Sequence, residues 1–302
     1  MSLIVTGAVG IDTIESPAGK AEQVIGGSGI YFTAAASYFT QPRLVTAVGD
    51  DFPDAFVELF HHFNVDVAGL ERRAGSKTFR WHGKYRDDNI NERDTLGVEL
   101  NILLEALPPV PTSYVDSEFV FLAVTSPDNQ LALLDKFPQR KLVVMDTIDF
   151  YIEQMRDTLL EVVSRVDGVI INDSEAKLLT GESNMVHAAQ WICDRGPTFA
   201  IIKKGEHGVI MKHRDGWVAL PAYPADQVVD PTGAGDSFAG GFMGHLAATG
   251  DLSLNNLRKG LAYGTMVASF NIEDFSLGRM KTLERHEIDQ RLNAFTNMVN
   301  LA

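Results

Sequence analysis

The chain has 302 residues, 45% of them hydrophobic, enough to bury a large core. Asp and Glu number 40 against 26 Lys and Arg, a formal net charge of −14, and the only basic clusters are pairs such as Arg72–Arg73 and Lys203–Lys204; this argues against nucleic acid or an anionic membrane as partner. A single cysteine, Cys193, excludes a disulfide framework, and with no signal-like start and no apolar run of membrane length the chain reads as a cytoplasmic protein.

In chain order, short β-rich runs alternate with segments of helical period. Strands are expected at Leu3–Thr6, Leu44–Val48, Glu118–Ala123, Leu142–Met145, Gly168–Ile171 and Phe199–Lys203. Several are apolar throughout, as strands covered on both faces are. Helices are expected at Tyr31–Phe39, Asp54–Phe63, Glu153–Val163, Met185–Asp194, Phe238–Ala248, Leu254–Phe270 and Leu283–Met298. The alternation predicts a mostly parallel α/β sheet with helices on both faces. Cys193, in the apolar run AAQWIC, reads as a small buried hydrophobe, and His61 and His62 as surface helix residues.

One region departs from the alternation. Between Arg72 and Asn101 polar and apolar residues alternate (Thr78, Arg80 and His82 against Phe79 and Trp81), which predicts a strand hairpin turning at Arg86–Glu92. Such an insert is either decoration or a lid.

Open α/β sheets take ligands at the carboxyl ends of their strands, so the residues just past those ends come next: Asp12, Gly26–Gly27, Asp146, Asn172 with Glu175, and Lys203 with Gly205. The stretch VVDPTGAGDSFAGGF, Val228–Phe242, sets Pro231, Gly233 and Gly235 around a turn and Asp236 at the start of a helix. Free amides and the helix dipole make that place an anion site, where an Asp suits a general base; an ordinary turn with a first-turn acid is the alternative. In VIGGSGIYF the paired glycines allow either a close-packed helix start or a ligand. INDSE reads as a cap, with Asp173 or Ser174 at the N-cap, or as Asn172 and Glu175 supporting Mg²⁺. AIIKKGEHGVIM reads as a hairpin, with Lys203 either solvated or facing a polyphosphate. No P-loop, dinucleotide, HExxH or GxSxG signature occurs.

Together, DPTGAGDSFAGGF, the strand ending in Asp12, GGSG, NDSE and KKGEHG resemble, in order and over essentially the whole chain, the ribokinase-like (PfkB) carbohydrate kinases. The resemblance implies a ribokinase-like three-layer fold over residues 1–302, with a small β-sheet lid from inserts at about 13–24 and 76–101. It implies an ATP-dependent phosphotransferase acting on a hydroxyl, typically a primary one, of a sugar-like small molecule. By that resemblance Asp236 is the base and Gly233, Ala234 and Gly235 form the anion hole, while Asn172 and Glu175 support Mg²⁺ and the nucleotide. Lys203, Gly205 and Gly208 lie at the nucleotide phosphates, and Gly264 is aligned with a position beside adenine. Asp12, Gly26, Gly27, Ser28 and Tyr31 fall at acceptor positions. Asp230 and Thr232, with the loop after Val267, match a K⁺ site present in some members, and in some relatives the lid pairs two subunits.

The pattern departs where ribokinases read GGKGAN: here Ser28 replaces Lys and Tyr31 replaces Asn, which argues against ribose. Tyr31, Phe32 and Trp81 are either core or an aromatic face for a nucleobase, so an adenosine-type nucleoside kinase is the alternative. A phosphosugar acceptor would call on Arg80 and Lys84. A catalytically silent sugar- or nucleotide-binding regulator is the alternative of another class.

Overall fold

The structure is a computed structural model and describes residues 1–300. Strands β1 (Leu3–Thr6), β2 (Gly10–Ser16) and β3 (Gly19–Gly26) lead into helix α1 (Ser28–Ser37). Then come β4 (Pro42–Gly49), α2 (Asp54–His62), β5 (Asp66–Arg73) and the pair β6 (Phe79–Tyr85) and β7 (Arg93–Glu99). The middle of the chain alternates: β8 (Phe119–Leu122), α3 (Pro127–Leu134), β9 (Leu142–Met145), α4 (Asp149–Gln154), α5 (Arg156–Arg165), β10 (Gly168–Asn172), α6 (Asp173–Thr180), α7 (Met185–Cys193) and β11 (Phe199–Lys203). Two strands, β12 (Val209–His213) and β13 (Gly216–Leu220), precede α8 (Ala234–Thr249), α9 (Leu254–Asn271) and α10 (Arg285–Val299).

Nine strands form one sheet in the order β13-β12-β11-β10-β9-β8-β1-β4-β5, parallel from β11 to β5, with β12 antiparallel to both its neighbours. Alternate residues of each strand feed two cores. Leu3, Val5 and Val144 pack with α1, α2, α8, α9 and α10. Ile4, Val143 and Met145 pack with α3, α5, α6 and α7 on the other face. The architecture is therefore the three-layer α/β arrangement that the alternation predicts. From β1 the chain runs to β4 on one side and β8 on the other, and the carboxyl ends around that switch are where such sheets take ligands.

A second, four-stranded sheet, in the order β3-β2-β6-β7, grows from the β1 end. The Phe79–Glu99 pair is the hairpin that the period of two predicts, with residues 86–92 as its turn. β2 and β6 run parallel with Asp12 beside Trp81, so these two share a face.

Three expectations change. The helix expected over Glu153–Val163 is two helices, broken at Met155 where the backbone leaves the helical region (φ −134°, ψ 35°). β5 was not expected: it is an edge strand of the main sheet, its residues DVAGLERR mostly half-exposed and half of them charged. Helix α8 begins at Ala234, four residues before the expected start, so Asp236 lies within its first turn. Cys193 is half-buried, and burial pushes its thiol up to about 11.

Gly264 lies where α8 and α9 cross: a side chain there would sit 2.6 Å from the Phe238 carbonyl and 3.1 Å from its ring. Its surface on that side is occupied by helix packing. Overpacking such a contact typically costs about 1–3 kcal/mol. Gly264→Ala is therefore expected to lower the melting temperature while leaving nucleotide affinity unchanged, as calorimetry and nucleotide titration of the same variant would show.

Candidate active site

The site is built where β9, β10 and β11 end and α8 begins. Asn172 closes β10 and is itself the N-cap of α6, the position the sequence reading gave to Asp173 or Ser174. Its Oδ1 accepts from the Glu175 amide (2.8 Å), and Glu175 Oε2 accepts from the Asn172 amide (2.7 Å), a reciprocal capping box. The cap occupies one oxygen of Glu175 and leaves the other available to a ligand. Burial raises the Glu175 carboxyl to about 7, against the pull of Lys203.

Lys203 ends β11, paired in register with Asn172. Its Nζ reaches the first turn of α8, 2.7 Å from where a side chain on Gly235 would begin. It also lies within electrostatic reach of Asp146, Glu175 and Asp236, lowering the pKa of each against the dominant rise from burial. Asp146, just past β9, is 5% exposed, and its Oδ1 has no hydrogen-bond partner. Desolvation, with Asp236 and Glu175 nearby, holds its carboxyl well above the usual range. The strand-end rule pointed to Asp146, but no motif gave it a role.

At the start of α8, Gly233 takes the left-handed conformation (φ 73°) as N-cap, and a side chain there would run into the Tyr31 ring. The Ala234 amide donates to the Pro231 carbonyl (3.1 Å), so of the three expected anion-hole amides this one is engaged in the turn. Gly235 stands at the second helical position, where an amide has no partner within its helix. Asp236 follows at the third position. Burial raises its carboxyl to about 6, while Lys203 and then Arg93 draw it down.

Across from this centre, Asp12 is 3% exposed and lies against Gly26, where any side chain would meet its carboxyl. Burial first, then the Asp230 and Asp236 charges, raise Asp12 to about 7; the Gly27 amide donates to it. Gly27 itself (φ 95°) approaches the Ala8 carbonyl too closely for a side chain. Ser28 Oγ and the Tyr31 hydroxyl are buried and unpartnered. Tyr31 is 1% exposed, and Phe32 is fully buried and stacked on Phe121 at 4.5 Å. Neither presents a face for a nucleobase, and of the three aromatics Trp81 alone is half-open, on the Asp12 side of the small sheet.

Asp230 is fully committed: its carboxylate accepts from the Thr232 amide (2.8 Å) and the Ser276 amide (2.9 Å), joining this loop to the one after α9. Asn271 Nδ2 donates to the Thr232 carbonyl (2.8 Å). Gly205 starts the turn after Lys203, and Gly208 closes it against the Leu220 carbonyl. Two expected phosphate-binding candidates are placed elsewhere: Arg80 pairs with Asp51 (2.8 Å), and Lys84 falls on the face opposite Trp81 and Tyr85. The Tyr85 hydroxyl instead reaches Thr232 Oγ1 (3.1 Å). Among the described residues no three His, Cys, Asp or Glu side chains form a metal cluster, and no helix is long and apolar enough to cross a membrane.

The family model described as pfkB family carbohydrate kinase matches residues 5–282. A curated protein from Thermococcus kodakarensis named cytidine kinase is 33% identical over 256 residues, covering 80% of this chain and 87% of that one. Two solved structures share the fold: a Burkholderia thailandensis nucleoside kinase in complex with inosine and an E. coli putative ribokinase II in complex with ATP and Mg²⁺. The first has a TM-score of 0.77 at 17% identity over 98% of this chain and 99% of that one. The second has a TM-score of 0.76 at 17% identity over 97% of this chain and 100% of that one.

The Asp12 carboxyl titrates near 7 in the folded chain against 3.8 for the free group. The native state keeps this proton where the unfolded chain has lost it, so stability falls as pH rises from about 4 to about 7. Asp12→Asn is expected to stabilise the ligand-free protein at pH 8 by up to about 4 kcal/mol, and to do little at pH 4, in denaturant titrations at the two pH values.

Proposed function

The chain belongs to the pfkB family of carbohydrate kinases, and from that premise we propose the roles of its site residues. It is an ATP-dependent phosphotransferase acting on a hydroxyl of a sugar or sugar-containing small molecule. The observation that carries the assignment is one desolvated centre: Asp236 within reach of Lys203, at the start of α8.

Asp236 takes the proton of the acceptor hydroxyl as that oxygen attacks the γ-phosphorus of ATP. The bond from the γ-phosphorus to the bridging oxygen breaks, and ADP leaves. A carboxyl near 6 is ionised at neutral pH yet basic enough to share the proton in flight. The Gly233 and Gly235 amides, the α8 dipole and Lys203 meet the phosphoryl charge, and placement does the rest. Gly205 and Gly208 shape the turn that follows Lys203 beside the nucleotide phosphates. The small sheet is the lid, over Asp12 and the Gly26–Gly27 turn that hold the acceptor.

Mg²⁺ fits the donor set: Asp146 has a buried, unpartnered oxygen, and Glu175 has the oxygen its cap does not use. A hard cation that keeps most of its waters needs few protein oxygens, and bound here it would offset the negative charge of the nucleotide phosphates. K⁺ bound by the Asp230 and Thr232 carbonyls would stiffen the loop that already ties α8 to the residues after α9, so it is expected to raise kcat relative to Na⁺.

For the acceptor we favour a nucleoside. Trp81 offers a half-open ring on the Asp12 face of the lid, and the T. kodakarensis relative carries the name cytidine kinase. A free sugar is the second reading, and its support is the family itself. An ADP-release screen over cytidine, adenosine, inosine, ribose and fructose, in K⁺ and in Na⁺, separates them: turnover with nucleosides and little with free sugars is expected, and the converse removes the nucleoside reading. Asp236→Asn should lower kcat at least 10³-fold, and activity within a few-fold of wild type would remove the base from the account.

We also propose that the lid edge pairs two copies. β7 is an unpaired edge strand, with Leu96 and Val98 each about half exposed and Leu100 next in line. Sedimentation should show a dimer for the wild type and a monomer for Leu96→Lys, and an unchanged monomer in both would end this assignment.

A further inference from the structure

The β6–β7 hairpin carries three arginines, and two are neutralised. Arg80 pairs with Asp51, and Arg86 pairs with Glu92 and Asp94 across the turn. Arg93 makes no ion pair with a carboxylate among the described residues; its guanidinium stands 5.8 Å from the centre of the Trp81 ring. It lies opposite Tyr85 in the β6–β7 register, so the two side chains share the face that looks at the site. Tyr85 touches Thr232, four residues before Asp236. At the hairpin tip, Asn91 Oδ1 lies 2.6 Å from where a side chain on Gly205 would begin, so the turn reaches the nucleotide loop as well. The hairpin therefore bridges both halves of the site, and Arg93 sits between its two touchdown points. Its charge acts on Asp236, Glu175 and Tyr85 together.

We infer that Arg93 is a catalytic residue of the lid: its guanidinium binds the oxygens of the phosphoryl group as it passes from ATP to the acceptor. A planar fork of donors suits those oxygens, and an arginine delivered to a transferring phosphoryl group stabilises charge that exists only in flight. Its position on the element that closes over the acceptor makes transfer depend on closure, so that water in an open site meets ATP without this cation. An arginine left free of carboxylates in a chain of net charge −14 is consistent with a place reserved for an anion. The inference rests on the kinase assignment and on Asp236 as the base.

The test compares Arg93→Ala, Arg93→Lys, Asp236→Asn and wild type in steady-state turnover with the best acceptor of the screen and, separately, with fructose 6-phosphate. Arg93→Ala should lower kcat about 10²-fold with KM for the acceptor changed less than three-fold, and Arg93→Lys should recover only part of it, since a point charge lacks the fork. Free guanidinium ion should restore at least ten-fold of the lost rate in Arg93→Ala and none in Asp236→Asn. Melting temperatures should lie within about 2 °C of the wild type, because Arg93 holds no carboxylate partner and its contact with the Trp81 ring is long and exposed. Wild-type kcat in Arg93→Ala, beside an inactive Asp236→Asn, overturns the inference and leaves the kinase reading standing. A loss confined to KM for the phosphorylated acceptor overturns it too, because Arg93 would then read the acceptor's own phosphate. An active Asp236→Asn strikes the assignment of Asp236 as the base instead, and an absence of turnover in the wild type with every acceptor strikes the kinase reading.

Discussion

One ammonium group, Lys203 Nζ, stands among three carboxyls, Asp146, Glu175 and Asp236, at the ends of adjacent strands and the start of α8. One cation cannot neutralise three acids taken out of water, so their carboxyls rise. The ligand-free centre is thus short of positive charge. In the proposed reading a metal ion and the nucleotide phosphates would supply the missing counter-charges, beside the unpartnered Asp146 Oδ1 and the Glu175 oxygen its cap does not use. The rest of the fold serves this arrangement. The parallel order of β9, β10 and β11 brings three strand ends to one place, and the Asn172–Glu175 cap fixes one acid by the same bonds that start α6.

The acceptor half obeys the same constraint with different parts. Asp12 is held by close packing against Gly26 and by the Gly27 amide, and Tyr31 is spent as the support beneath Gly233. That support sits beneath the left-handed turn from which α8 and Asp236 follow, so helices α1 and α8 are packed as a unit. Asp230 ties the same loop to the segment after α9.

Much of the fold was legible because parallel strands buried on both faces leave continuous apolar runs, as in LIVT, LVVM and FAIIK. The hairpin was legible from its period of two. β5 was not, because an edge strand needs no such run, and the break at Met155 was not, because the amphipathic pattern continues across it. At the site, glycines and acids next to strand ends marked Asp12, Asn172, Glu175, Lys203 and Asp236, which the fold gathers. For Tyr31 the sequence left core and nucleobase face open, and the structure places it in the core; an aromatic in a motif says nothing about which face packing consumes. Arg93 escaped notice because its importance lies in what it does not pair with, and pairing is invisible before the hairpin register is known.

The proposed chemistry stands or falls on Asp236 as a base whose carboxyl burial raises and Lys203 draws back down. The direct measurement is the pH dependence of kcat/KM for the acceptor at saturating Mg·ATP, in the wild type and in Lys203→Met. A base must be ionised, so the account predicts a wild-type acid limb near pH 6, and a limb moved to higher pH, with a lower plateau, once the ammonium is gone. An acid limb at the same pH in both proteins would contradict it.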